Sequence, residues 1–167
     1  MSDKGVIAQL SVSPGGLPKR AVAEARVTRL GLDGDAHRNQ AHHGGPDRAV
    51  CLFPLEAIRG LAAEGHAVTP GALGENVTTE GLEWAAVVPG VQLLLGDQVL
   101  LEITTFTSPC VNVAPLFHDR AFSRVSQKRH PGWSRIYARV LVEGRVRAGE
   151  PIRVVRDVEA TELPATP

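Results

Sequence analysis

Residues 91–106, VQLLLGDQVLLEITTF, hold two runs of apolar and β-branched residues, each of strand length, separated by Gly96-Asp97. That pattern predicts a β-hairpin, since the flanking runs suit a pleated surface and Gly-Asp suits a tight turn. The same signal recurs in both directions. Downstream, residues 134–156 (SRIYARVLVEGRVRAGEPIRVVR) alternate Ile136, Ala138, Val140 and Val142, turn at Glu143-Gly144, and close with a strand near Ile152 to Val155. Upstream, GVIAQLSVS (5–13) places Val6, Ala8, Leu10 and Val12 on one alternating face, and AVAEARVTRLG (21–31) repeats the alternation with Val22, Ala25 and Val27. RAVCLF and NVTTEG are further short strand-like segments. Helical spacing is clear only in PLEAIRGLAAEGH (54–66), where Leu55, Ile58, Leu61 and Ala62 share a face and Pro54 suits the first turn. Short helices are expected over 111–117 and within DRAFSRVSQ. About seven strands and two or three helices, without regular strand-helix alternation, predict a mainly β fold, a β-barrel with a few short helices.

A chain of 167 residues is the size of one domain, expected over 1–156, with 157–167 a flexible tail lacking a packing face. Gly 17 and Pro 12 fit a turn-rich β protein. Lys+Arg 18 against Asp+Glu 18 leaves no overall basic field, so neither nucleic acid nor a membrane surface is an expected partner, and an anionic ligand must meet a local patch. MSDKGVIAQLSVS has no long apolar core of the secretory kind, and no stretch reaches the length of a membrane span. Two cysteines, Cys51 and Cys110, are expected to stay reduced, which points to the cytoplasm.

The two cysteines differ in setting. Cys51 lies inside the apolar run RAVCLF and reads as a buried structural residue, whereas Cys110 follows the strongest strand and Pro109 and precedes a predicted helix. A thiol at a helix start is a candidate nucleophile or soft-metal ligand. Residues 31–50, GLDGDAHRNQAHHGGPDRAV, crowd histidine, aspartate and glycine. Their spacing suits zinc poorly: His37 and His42 are five apart in a glycine-rich loop, and neither CxxC nor HExxH occurs. His42 or His43 remains available as a partner of Cys110, while His66 and His118 read as solvated. The glycine-rich stretches SPGGLPK, GLDGD, HHGGPDR and PGALGEN offer backbone N–H groups beside Lys19 and Arg48, a chemistry suited to phosphate, although each taken alone reads better as a tight barrel-rim turn.

Taken in order, SPGGLPK, GLDGDAHRNQAHHGGPDRAV, PGALGENVTTEGL, LLGDQVLLEITTFTSPC and GWSRIYARVLVEGRVRAGEPI resemble the MOSC family, the domain named for the C-terminus of molybdenum cofactor sulfurase, over about Gly5 to Val155. The short free-standing bacterial members are the nearest in kind. The resemblance implies a pyruvate-kinase-barrel-like fold and a site for the molybdenum cofactor (molybdopterin), with Cys110 matching the family's cysteine as metal ligand. It also implies reduction of N-hydroxylated compounds such as hydroxylamines and amidoximes; pyridoxal phosphate binding is a looser association of the family. By motif, Lys19, Arg48 and Arg139 are assigned to the cofactor's phosphate and pterin edge, with Asn76 and the backbone of Gly44 and Gly45 as further donors. Asp47 and His43 are assigned to orient Arg48 or to relay protons. No iron-sulfur or flavin module follows the barrel sequence, so a redox partner protein is expected to supply electrons, to a monomer or homodimer. The alternative is a non-catalytic carrier of the cofactor, or of sulfur as a Cys110 persulfide. TFTSPC departs from the basic-aromatic sequence that often precedes the family's cysteine, which leaves substrate range open.

Overall fold

The computed structural model describes residues 3–36 and 45–155, so His37, His42, His43 and Gly44 and the predicted tail lie outside the described residues. The strands in chain order are β1 (Lys4–Val12), β2 (Arg20–Val22), β3 (Glu24–Thr28), β4 (Gly31–Leu32), β5 (Val50–Pro54), β6 (Val77–Glu80), β7 (Gln92–Leu95), β8 (Val99–Phe106), β9 (Ile136–Val142), β10 (Gly144–Arg147) and β11 (Pro151–Val155). Helix α1 (Leu55–Ala63) joins β5 to β6. Seven strands close a barrel in the order β1, β6, β5, β9, β8, β7, β11, with β11 pairing back onto β1. Closure leaves no edge among those seven. The predicted hairpin is β7–β8, paired from Gln92↔Glu102 to Leu95↔Val99.

β5 and β6 run parallel, which requires the crossover that α1 supplies; the other neighbours in the ring are antiparallel. Ile7, Leu52, Val77, Leu93, Leu101 and Ile136 are fully buried in the barrel core. A small sheet, β10-β3-β4, adds Ala25, Val27, Leu32 and Val146 to that same core. Phe53 points the other way, into a second apolar cluster outside the barrel with Ile58 and Leu61 of α1 and Val113, Phe117 and Val125. Because β5 is covered on both sides, all five of its residues are buried. Among the described residues no helix is long and apolar enough to cross a membrane.

Several details depart from the sequence expectation. Ile7, not Val6, enters the barrel core, and Val6 is 40% exposed; a bulge between Ile7 and Gln9 shifts the register so that Ile7 and Leu10 both face inward. AVAEARVTRLG is two strands in different sheets, broken at Ala23, where the alternation slips between Val22 and Ala25. Likewise β9 and β10 do not pair: Glu143 is where the chain leaves the barrel for the small sheet. Pro54 is the extended cap of α1, not part of its first turn. The helix predicted after Cys110 is a 3-10 segment, Val111–Leu116, interrupted by Pro115. His66 is not solvated: its ring packs at 5.0 Å from that of Phe117, and its Nδ1 accepts the His118 N–H at 3.0 Å.

Gly71 (φ 85) shows why a glycine-rich stretch is needed beside Lys19. A Cβ there would lie 2.5 Å from the Lys19 carbonyl oxygen, which would push apart the Lys19 N–H to Gly71 O bond of 3.0 Å. Gly65 has a similar φ of 95 but open space around it. Gly65→Ala is therefore expected to cost about 1–2 kcal/mol in urea denaturation, the left-handed penalty alone, and Gly71→Ala about 1–3 kcal/mol more from crowding. Equal losses would show that the contact with Lys19 is dispensable.

Candidate functional site on the outer wall of the barrel

Strand alternation sets the site. Val50 and Leu52 of β5, and Ile136 and Ala138 of β9, fill the barrel, so the residues between them, Cys51 and Tyr137, stand on the outer wall. They are register partners across the β5–β9 pair. Around them gather the segments on either side of the histidine loop, the Lys19 loop, the loop before β6 and the Thr107–Cys110 segment.

At the base lies a buried polar network. Lys19 Nζ is 2.7 Å from Asp35 Oδ2, and the two side chains are only 7% and 2% exposed. The same carboxylate accepts from Asn76 Nδ2 at 2.9 Å and, through Oδ1, from the Ser13 N–H at 2.9 Å. Asn76 also donates to the Ser11 carbonyl at 3.2 Å and accepts the Cys51 N–H at 3.0 Å. Its amide is thereby fully engaged within the fold, which makes Asn76 a strut joining β1, β5 and Asp35. Lys19 has donors beyond the one Asp35 takes, so an anion at the site would share it.

A second layer holds Glu75 and Arg135, both buried. Arg135 Nη1 donates to the Leu73 carbonyl at 2.6 Å, and Thr78 Oγ1 donates to Glu75 Oε2 at 3.3 Å. Burial pushes the Glu75 carboxyl up, opposed by the backbone N–H groups of Gly71 and Glu75 and by Arg135. Arg135 Nε and Thr107 Oγ1 are buried and have no hydrogen-bond partner among the described residues. Their backbones are adjacent, since the Thr107 N–H donates to the Arg135 carbonyl at 3.0 Å. Unpaired donors at this depth are costly unless a ligand or water completes them.

The rim is the 3-10 turn Pro46–Arg48, which packs on β9 and follows Gly45 (φ 81). Arg48 sits 6.0 Å from the centre of the Tyr137 ring. Asp47 Oδ1 is 3.4 Å from Arg139, whose other branch lies 3.5 Å from Glu102, and the Asp47 carbonyl accepts from Thr104 Oγ1. Cys110 is half-buried in an extended conformation ahead of Val111–Leu116. A six-residue 3-10 segment with an internal proline lacks the aligned dipole of an α-helix, so the helix-start argument for this thiol has no structural basis. Cys110 stands instead among charges, near enough to Tyr137 to affect the phenol, as do Arg48, Arg135 and Cys51.

The donor set fits an anionic ligand carrying a soft metal. Three cations, Lys19, Arg48 and Arg135, face two carboxyls, Asp35 and Glu75, and burial favours the uncharged form of Glu75. The MOSC domain family model matches residues 39–153. The chain belongs to the MOSC domain family. That family is associated with binding the molybdenum cofactor. The chain is 31% identical to YiiM of Escherichia coli K12 over 140 residues, 81% of this chain and 61% of that protein. It is 32% identical to YflK of Bacillus subtilis 168 over 136 residues, 80% and 60% of the two chains. A Gibberella moniliformis protein named Reductase is 32% identical over 130 residues, 75% of this chain and 22% of that one. The crystal structure of Escherichia coli YiiM superposes with a TM-score of 0.69 at 27% identity, covering 91% of this chain and 70% of that one. YuaD of Bacillus subtilis, at 17% identity and a TM-score of 0.74 over 90% and 95% of the chains, shares the fold. The chain thus spans about three fifths of the length of YiiM and YflK.

Of the residues assigned by motif in this MOSC chain, Lys19, Arg48, Asn76 and Cys110 converge on the β5–β9 wall, while Gly45, Asp47 and Arg139 form its exposed rim. Asp35, Glu75, Arg135 and Tyr137 are as central and were not singled out from sequence. A buried Arg-Ile-Tyr at the start of a strand is the only local signal for the last two.

Two measurements probe this arrangement. Burial pushes the Cys51 thiol from 9.0 to about 11, against the pull of Arg135 and Lys19, and the Tyr137 phenol from 10.0 to about 12. The unfolded chain therefore loses each proton first, so their stabilisation is complete below pH 9 and is lost as pH rises towards 11 and 12. Cys51→Ala should flatten the fall in stability between pH 9 and 11, and iodoacetamide at neutral pH should label Cys110 but not Cys51 in the folded protein. For the Lys19–Asp35 pair, removal of either partner, by Lys19→Met or Asp35→Asn, is expected to cost about 3–5 kcal/mol, with the double variant costing less than the sum of the two. Strict additivity would mean the two groups do not interact.

Proposed function

We propose that this MOSC domain binds the molybdenum cofactor on the outer face of β5 and β9 and reduces N-hydroxylated compounds, hydroxylamines and amidoximes, with electrons from an external donor. The observation that carries the reading is the convergence of the Cys110 thiol with Lys19, Arg48 and Arg135 on one wall, where Arg135 Nε and Thr107 Oγ1 are left unpaired. The relative named Reductase supports the oxidoreductase class.

When bound, the cofactor supplies two-electron oxygen removal, by which R–NHOH, two electrons and two protons give R–NH2 and water. The protein's own groups bind and orient. Cys110 offers the soft sulfur donor that a metal in a sulfur-rich setting prefers. Arg48, held over the Tyr137 ring, and Lys19, shared with Asp35, meet the anionic part. Tyr137 stays protonated to about 12, so it remains a hydrogen-bond donor throughout the working range. Asp47, exposed at the rim and 3.4 Å from Arg139, is assigned to proton relay, a role the family motif also gives to His43.

The test is expression in a host that makes the cofactor, followed by molybdenum analysis and turnover of a hydroxylamine with dithionite-reduced methyl viologen. Native protein should carry molybdenum and turn over; Cys110→Ser should lose at least about 100-fold in rate, the scale of a removed metal-site group. Protein free of molybdenum, with activity indifferent to the serine change, would sink the proposal. A sulfur adduct on Cys110 by intact mass, with no turnover, would establish the carrier role instead.

A further inference from the structure

We infer that the exposed basic face of residues 118–130 is the docking surface for the electron donor, a small acidic carrier protein of the ferredoxin kind. This deepens the reductase reading above and rests on it, because that reading takes two electrons per turnover from an external donor.

The segment is built as a rigid appendage beside the site. It leaves Cys110 through Val111–Leu116 and continues in two further 3-10 turns, His118–Arg120 and Phe122–Val125, both packed against the first. Its apolar side, Val113, Phe117 and Val125, is buried in the second core. Arg124 locks it down: Nε and Nη2 each reach a Glu64 carboxylate oxygen at 2.8 Å, and the guanidinium stacks 3.9 Å from the Trp133 ring. Trp133 in turn lies so close to Gly60 of α1 that a Cβ there would be 2.8 Å from it.

The opposite side faces solvent. Arg120, Lys128 and Arg129 are exposed together with His118 and His130, and no described residue forms an ion pair with the first three. Asp119 is the single acidic residue between Cys110 and Trp133, in a chain that holds 18 acidic and 18 basic residues as a whole. Asp119 and Arg120 adopt consecutive left-handed conformations, φ 55 and 58, pinned by the Arg120 N–H to Phe117 O and Ala121 N–H to His118 O bonds. Val111, 59% exposed, opens the same segment directly after Cys110. Exposed cations with little acidic charge among them suit a transient protein interface, and complementary charge would steer an acidic donor to the segment that begins at the thiol. A long polyanion such as nucleic acid would need a more extended basic stripe than one segment of a neutral chain provides.

The test uses cofactor-loaded protein, a reduced acidic [2Fe–2S] ferredoxin as the donor probe, and dithionite-reduced methyl viologen as the small-molecule donor. In the Arg120→Glu/Lys128→Glu/Arg129→Glu variant, ferredoxin-driven turnover should fall about tenfold or more through a higher KM for ferredoxin, with viologen-driven turnover unchanged. Calorimetric binding of oxidised ferredoxin, which needs no turnover, should weaken in parallel and fade for the parent protein as salt rises from about 0.02 to 0.5 M. Lys128→Glu alone should show a smaller loss of the same sign, which guards against misfolding of the triple variant. Ferredoxin binding that is absent in the parent, or unaltered by the three reversals, would overturn the docking surface. Absence of viologen turnover in the parent would overturn the reductase reading, while the binding arm still decides the surface.

Discussion

A single buried carboxylate, Asp35, holds the candidate site together. With 2% of its side chain exposed, it must be compensated from within, and among the described residues Lys19 Nζ, Asn76 Nδ2 and the Ser13 N–H do so. These arrive from the loop before β2, the start of β6 and the end of β1, so one charge fixes three segments far apart in the chain. Removing a partner would leave an uncompensated ion in a low-dielectric interior, which is why the arrangement tolerates no slack. Asn76 passes the constraint on to β5 through the Cys51 N–H, and from β5 it reaches Tyr137 and the arginines. The positions of the site's cations therefore follow from satisfying Asp35 as much as from any ligand.

The barrel makes this possible by being closed and filled with apolar side chains. β5 is buried on both faces, inward against the barrel core and outward against α1 and the 111–125 turns. An outer wall covered in this way lowers the dielectric around Cys51 and Tyr137, which keeps both protonated and leaves the thiol of Cys110 as the accessible sulfur. The parallel β5–β6 pair matters here as well. Its crossover places α1 outside the barrel, and α1 then carries the Glu64 and Gly60 contacts that seat the basic appendage.

The strands were largely legible, because period-two alternation reports burial on one face of a sheet. The reading failed where that period breaks: at the bulge after Ile7, which turns Ile7 inward in place of Val6, and at Ala23, where one apparent strand is two. Cys51 was read correctly as buried from its apolar neighbours, whereas Cys110, singled out from its position after Pro109, is half-buried. The helix start inferred beside it proved to be a 3-10 segment, since Pro115 removes a backbone donor and stops the α-helix from propagating. His66 illustrates the same limit, because a histidine in a polar loop looks solvated until Phe117, distant in sequence, covers it.

Sequence by itself determined the mainly β barrel class, the hairpin at Gly96-Asp97, the helix after Pro54 and the family, because these rest on local periodicity, turn chemistry and ordered motifs. Tertiary structure alone decided that Asp35, Glu75, Arg135 and Tyr137 stand with Lys19, Arg48 and Cys110 on one outer wall. Those residues are separated by up to 118 positions, from Lys19 to Tyr137, and their charges are meaningful only in the low dielectric that closure of the barrel creates, a property no local stretch of sequence encodes.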